Sequence, residues 1–283
     1  MPVIDFNAVV AQFQEGARAE RLARDPVAWV EERLGEHVWS KQREALASVI
    51  NNKRTMVASC HGSGKTWLAS RLIGWWLDTK DTAPTETRII TTAPSWNQVA
   101  NVMWGYVDEV RQKAGMPGNI TAKASWTFPG YKTPTAFGRK PSDYDESTFQ
   151  GIHATNVLVV VDEAGGVPES IFTSVEAITT NANARILAIA NPDDPNSYMA
   201  KVWREESKKA PEDRRWNLIT ISAFDTPNFT GEDVPERART NLLQRTPACA
   251  GAKPTPAGRP RSSLSSPTSA RTACSTSEEY SCR

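Results

Sequence analysis

Two segments hold residues whose types and spacing could do chemistry together: Ser-Cys-His-Gly-Ser-Gly-Lys-Thr at 59–66 and Val-Leu-Val-Val-Val-Asp-Glu-Ala at 157–164. In the first, Gly62 and Gly64, on either side of Ser63 in the binding loop, let the backbone curl its N–H groups around phosphate oxygens without Cβ clashes. Lys65 is placed to reach the β- and γ-phosphates of a nucleoside triphosphate, and the Thr66 hydroxyl to ligate Mg²⁺. In the second, an aliphatic run ends in two adjacent carboxylates. Asp162 is placed to hold the hydration shell of the Mg²⁺, and Glu163 to orient and deprotonate an attacking water. Together the segments predict binding and hydrolysis of a nucleoside triphosphate. One departure is plain: Ser59 stands where the usual pattern has its first glycine.

Such side chains need elements to position them. Met56, Val57 and Ala58 lead straight into the first segment, and Leu68, Leu72, Trp75 and Trp76 follow it at helical spacing, so the context is strand, loop, helix. Val157 to Val161 suits a strand buried on both faces of a parallel sheet, and ligands sit at the carboxyl edge of such sheets. Arg88 to Thr92 predicts another strand, followed by a helical pattern through Val99, Val102, Met103, Tyr106 and Val110. Arg185 to Ala190 predicts a further strand that runs into Asn191. That asparagine reads either as a sensor of the γ-phosphate or attacking water, or as a turn residue before Pro192. Ser40 is read as the N-cap of a helix with Leu46, Val49 and Ile50 on one face. Gln42 near its start could read an adenine edge with a paired donor and acceptor, although a surface glutamine is the plainer reading. Ahead of it, Asp25 as N-cap, Pro26 at the first helical position and Gly35 at the end mark a short helix. The expected fold class is α/β, a P-loop NTPase of the additional-strand class with a mostly parallel sheet sandwiched by helices. Residues 1–48 are expected to form an N-terminal helical region, 49–235 the ATPase core and 236–283 a tail.

Composition sets bounds. A net charge of +1 over 283 residues does not describe a strongly basic nucleic-acid binder. Contact with DNA would fall to local patches such as Lys132, Arg139 and Lys140, or Lys208, Lys209, Arg214 and Arg215. Met1 to Arg21 lacks the apolar core of a signal peptide and no stretch is long enough to span a membrane, which predicts a cytoplasmic chain. The four cysteines form no C-x-x-C pair and have no histidines at metal spacing, so neither zinc nor a disulfide framework is indicated.

A series of segments in this order resembles the ATPase domain of the large terminase subunit of tailed bacteriophages. The series comprises Trp39 to Gln42, His61 to Thr66, Thr91-Thr92-Ala93-Pro94-Ser95 and Phe149-Gln150-Gly151-Ile152-His153-Ala154. It continues with Val157 to Gly166, Ala190-Asn191-Pro192 and Phe224-Asp225-Thr226-Pro227-Asn228. The resemblance implies that Gln42 belongs to an adenine-binding motif, Lys65 and Thr66 to Walker A, Asp162 and Glu163 to Walker B, and Asn191 to a coupling motif. It implies double-stranded DNA, a portal protein and a small terminase subunit as partners, in a bacterial host cell, with a ring of identical subunits as the active form. Many members carry an arginine where this chain has His61, so another arginine must stabilise the transferring phosphoryl group. Arg139 is the candidate, against an ordinary solvated basic residue.

The character of the sequence changes near Pro235. All ten tryptophans lie at or before Trp216, and from Thr246 onward Leu264 alone represents Ile, Leu, Val, Met and Phe. Such a stretch cannot bury enough apolar area to offset the entropy of ordering it, so 246–283 is expected to be disordered. Its composition also fits an out-of-frame reading. The resemblance implies a following RNase H-like nuclease domain with an acidic metal cluster; the only acids after Glu236 are Glu278 and Glu279, so no nuclease activity is expected. Two other readings stay open. A superfamily 2 helicase shares the two segments but needs a second RecA-like core, and an inactive prophage remnant would at most bind nucleotide.

Overall fold

The computed structural model describes residues 6–80, 86–139 and 154–235. The segment 149–153, the patch residue Lys140 and the tail from 236 lie outside the described residues. The described chain is built around one eight-stranded sheet in the order β3-β4-β5-β2-β6-β7-β1-β8. The strands are β1 (Arg54–Ser59), β2 (Thr87–Thr92), β3 (Asn119–Thr121), β4 (Ser125–Thr127), β5 (Ala136–Arg139), β6 (Asn156–Asp162), β7 (Ala184–Ala190) and β8 (Asn217–Ile221). From β5 to β8 every neighbour pair is parallel; β3 and β4 add an antiparallel flap at one edge. β7 lies between β1 and β6, so the strand leading into the glycine-rich loop and the strand carrying the acids are separated by one inserted strand.

Helices cover both faces, and the central strands β6 and β7 read accordingly as apolar runs. In β6, Leu158 and Val160 face one core while Val157, Val159 and Val161 face the other. The first core is closed by α3 (Ser40–Asn51), α4 (Lys65–Thr79) and α5 (Trp104–Lys113), with Leu22, Trp29 and Val30 from the N-terminal helices inside it. The second is closed by α6 (Glu169–Ile178) and α7 (Tyr198–Ser207). The N-terminal helices α1 (Phe6–Arg24) and α2 (Pro26–Trp29) thus bring side chains into the same core as the sheet.

Helix ends follow the sequence in one place and depart from it in another. The Asp25 carboxylate accepts from the N–H groups of Val27 and Ala28, and Gly35 closes the π-helical turn Val30–Leu34 in the left-handed conformation at φ 64°. Ser40, however, is the first residue of α3 and not its cap, since Trp39 holds the capping position without a side-chain bond. The orphan N–H of Ser40 donates instead to both oxygens of Glu232, at 2.9 and 3.2 Å, a partner 192 residues away that local sequence cannot reveal.

The helix after the glycine-rich loop carries a buried cation. Arg71 of α4 is 1% exposed, donates to Glu36 at 2.7 and 2.8 Å and to Glu109 of α5 at 3.1 Å, and lies over the Trp67 ring. Lys113 of α5 closes the cluster onto Glu36 and Glu109. These bonds tie α4 to α5 and to the chain segment that precedes α3. Where α4 and α5 cross, Gly74 leaves no room for a Cβ against Val110 and Trp29.

Candidate active site

The carboxyl ends of β1, β7 and β6 converge on one edge of the sheet, and the two sequence segments meet there. Gly62 and Gly64 adopt φ of 73° and 84°, which a side chain would strain, and this turns the chain from β1 into α4. The loop is braced from within and below: the hydroxyls of Ser59 and Ser63 bond each other, and the Cys60 N–H donates to Ile221 O of β8 at 2.8 Å. Ser59 therefore does structural work in the place of a glycine.

Lys65 is buried at the first turn of α4. Its Nζ donates to the Asn191 side-chain oxygen and, at 3.4 Å, to the Cys60 carbonyl. Thr66 donates its hydroxyl to Asp162 Oδ2 at 2.9 Å, and the other Asp162 oxygen accepts from the Glu163 N–H at 3.1 Å. Asp162 is fully buried, and burial pushes its carboxyl up to about 6; the Thr66 bond opposes the shift and the Glu163 charge adds to it. Glu163 has a left-handed backbone, φ 47° and ψ 45°, uncommon for a residue with a side chain and a form of strain that clusters at functional sites. The turn after it is packed closely: a Cβ on Gly166 would stand 2.7 Å from Pro94 Cγ, in the loop that follows β2.

Asn191 stands directly after β7, between the loop lysine and the paired acids. Its oxygen is committed to Lys65, and its Nδ2 is buried with no partner among the described residues, an orphan donor that suits a phosphate or water oxygen. Gln42 is also buried, at 5% exposure, and its Nε2 donates to Ser63 O at 3.3 Å, so this glutamine touches the glycine-rich loop itself. His61 lies at the exposed rim, 3.6 Å from Asp193.

Arg139 is not in this cluster. It ends β5 in register with Thr92 and lies over the Phe137 ring, on the same edge of the sheet but four strands from β1, about 19 Å at strand spacing. The second basic patch sits where the chain enters β8, at the opposite edge. There Lys209 pairs with the buried Glu206, Arg215 with Glu176, and Arg214 donates to the Glu206 and Lys209 carbonyls. These three cations are spent on holding the α7–β8 connection. Periodicity could not have found the Lys65–Asn191 contact or the Gln42–Ser63 contact, because each joins residues brought together only by strand order.

The donor set fits a magnesium nucleotide. One hydroxyl and one carboxylate oxygen 2.9 Å apart suit Mg²⁺, which keeps most of its waters and takes few protein ligands. The buried lysine, the glycine-rich turn and the helix start suit phosphate.

Neither a protein-family model nor a curated protein sequence matches the chain. Solved structures do. The HK97 bacteriophage large terminase superposes with a TM-score of 0.53 at 14% identity, over 70% of this chain and 43% of that one. The Thermus phage P74-26 large terminase ATPase domain gives 0.52 at 14% identity, over 78% of this chain and 98% of that one. A thermophilic bacteriophage's large terminase in complex with ADP gives 0.50 at 17% identity, over 72% of this chain and 49% of that one. The chain thus spans less than half the length of the HK97 and ADP-bound proteins, while it matches nearly all of the separate ATPase domain. No described helix is long and apolar enough to cross a membrane. The described chain has the α/β fold of the ATPase domains of phage large terminases.

Proposed function

We propose that this chain hydrolyses ATP in the presence of Mg²⁺, as the motor ATPase of a large terminase that drives double-stranded DNA into a procapsid. The observation that carries the reading is the convergence of Lys65, Thr66, Asp162 and Asn191 on one sheet edge, with Glu163 next to them and a strand between loop and acids. A glycine-rich turn with a lysine binds phosphate in many proteins. Its junction with a buried carboxylate through the Thr66 hydroxyl is what a triphosphate hydrolase needs.

The roles follow from position. The N–H groups around Gly62 to Lys65 and the Lys65 ammonium hold the β- and γ-phosphates, while Gln42 supports the loop and lies toward the base. Thr66 and Asp162 would hold Mg²⁺, which when bound neutralises phosphate charge. Glu163 takes a proton from the attacking water as its oxygen bonds to the γ-phosphorus and the bridging oxygen departs with ADP. Asn191 donates through Nδ2 to the γ-phosphate or to the water. Arg139 stands four strands from β1 and outside the Lys65–Asp162–Asn191 cluster, so it is assigned to a neighbouring subunit's nucleotide in a ring of identical chains. Double-stranded DNA, a portal protein and a small terminase subunit are the partners that accompany this reading.

The test is ATP affinity and steady-state phosphate release. Lys65→Ala should weaken binding, because the phosphates lose their main counter-ion. Glu163→Gln should bind ATP as the parent does and hydrolyse it about 10²–10⁴-fold more slowly. A parent without turnover, or a Glu163→Gln variant as fast as the parent, overturns the reading.

A further inference from the structure

The resemblance-bearing segment after β8 has no part in the phosphate chemistry, yet it holds two of the most exposed aromatic rings among the described residues. Phe224 is 75% and Phe229 56% exposed, and the rings meet edge to face at 5.5 Å and 67°. Burying an aromatic ring is among the larger apolar gains a side chain offers, so a pair left in water on an ordered segment calls for an occupant.

The segment is held by local bonds and tied at one end to the phosphate loop and at the other to the start of α3. Ser222 and Asp225 form a capping box, Thr226 donates to the Ala223 carbonyl at 2.7 Å, and Pro227, the first residue of the one-turn helix α8 (Pro227–Thr230), is buried. At its start, Ile221 accepts from the Cys60 N–H of the phosphate loop. At its end, Glu232 holds the Ser40 N–H, two residues before Gln42, which itself touches the loop at Ser63. Phe224 and Phe229 each lie three residues from one tether, within about 11 Å of it along the chain. The segment that carries the rings therefore runs from the phosphate loop to the start of α3, on the β8 side of β1, away from the acids on β6. A triphosphate whose γ end points to Glu163 extends its ribose and base to that side. Two acids of the segment, Asp225 and Glu232, accept from backbone and hydroxyl donors. The exposed ring faces are suited to the flat face of a base.

We propose that Phe224 and Phe229 form the stacking surface for the purine base of the bound nucleotide, so that base affinity comes chiefly from aromatic contact and Gln42 serves mainly to hold the loop. The inference rests on the nucleotide reading above. Two probes separate the two: ADP, which has a base, and pyrophosphate, which has none. Calorimetry on the full chain should show Phe224→Ala and Phe229→Ala losing roughly tenfold or more in ADP affinity, since alanine in place of a stacked ring has effects of that size. Pyrophosphate affinity should stay at the parent value, and both variants should melt with the parent. Phe229→Tyr should retain ADP affinity. ADP affinity unchanged in both alanine variants overturns the stacking surface while leaving the nucleotide site standing. Equal loss of ADP and pyrophosphate, or a change in self-association without loss of ADP affinity, also overturns it and points to a structural or subunit-interface role. If neither probe binds the parent in a Lys65-dependent way, the nucleotide reading itself falls.

Discussion

Glu163 sits at the turn where β6 gives way to the Ala164–Gly166 turn, and its conformation depends on neighbours that leave no slack. Pro94 fills the space that a side chain on Gly166 would need. Gly166→Ala should push the loop after β2 aside or shift the Glu163 turn, at a stability cost of about 1–3 kcal/mol. Because the change leaves the 59–66 loop untouched, ATP binding should persist while phosphate release slows. Urea melts and a phosphate-release assay would check both halves, and a variant that loses binding and turnover together would contradict this placement. At this scale the sequence was legible wherever a residue type has few uses. Glycines beside a lysine and threonine, and acids after a valine run, pointed to one edge. Gln42 and Asn191 were ambiguous because an amide suits many environments, and only the strand order decides which atoms it meets.

The α4–α5 junction shows what an element contributes. Burial alone would raise the Glu36 carboxyl, but the bonds from Arg71 and Lys113 outweigh it and hold the group below its ordinary value. A carboxylate lowered in the folded state adds stability above its unfolded pKa and loses it as pH falls through the folded value. Glu36→Gln should therefore flatten the acid limb of a stability profile. At neutral pH it should cost about 3 kcal/mol, since it leaves the buried Arg71 with one partner fewer. Arg71→Met tests the same cluster with the buried charge removed and should cost less. Thermal melts between pH 3 and 8, at roughly one-unit steps, would show both. β6 and β7 were legible because burial on both faces writes itself as an apolar run, and β1 and β2 as shorter ones. The antiparallel flap of β3 and β4 was not, because each has three residues and no such run. The start of α3 was misplaced for another reason: its N–H is satisfied from the far end of the described chain.

For the whole molecule, the distance of Arg139 from its own loop makes subunit contact the issue. Turnover per chain should rise with protein concentration, and Arg139→Ala should abolish that rise while sparing ATP binding, with a loss of about 10³–10⁵ where an arginine acts on phosphoryl transfer. Turnover that is flat with concentration and indifferent to the substitution would remove Arg139 from the chemistry.

The inserted strand has a consequence for how such a protein fails. β7 is held on both sides, with Ala190 opposite Ala58 and Ile189 opposite Asp162. A slip by one residue would carry Asn191 about 3.3 Å along the sheet and turn its side chain to the other face. No intermediate register keeps the two cores filled and Lys65 bonded. The spacing of the reacting groups is thus a digital quantity, set in whole residues by the packing of aliphatic side chains. Heating should leave the geometry intact until the sheet itself gives way, so that loss of nucleotide binding and loss of fold coincide in one transition.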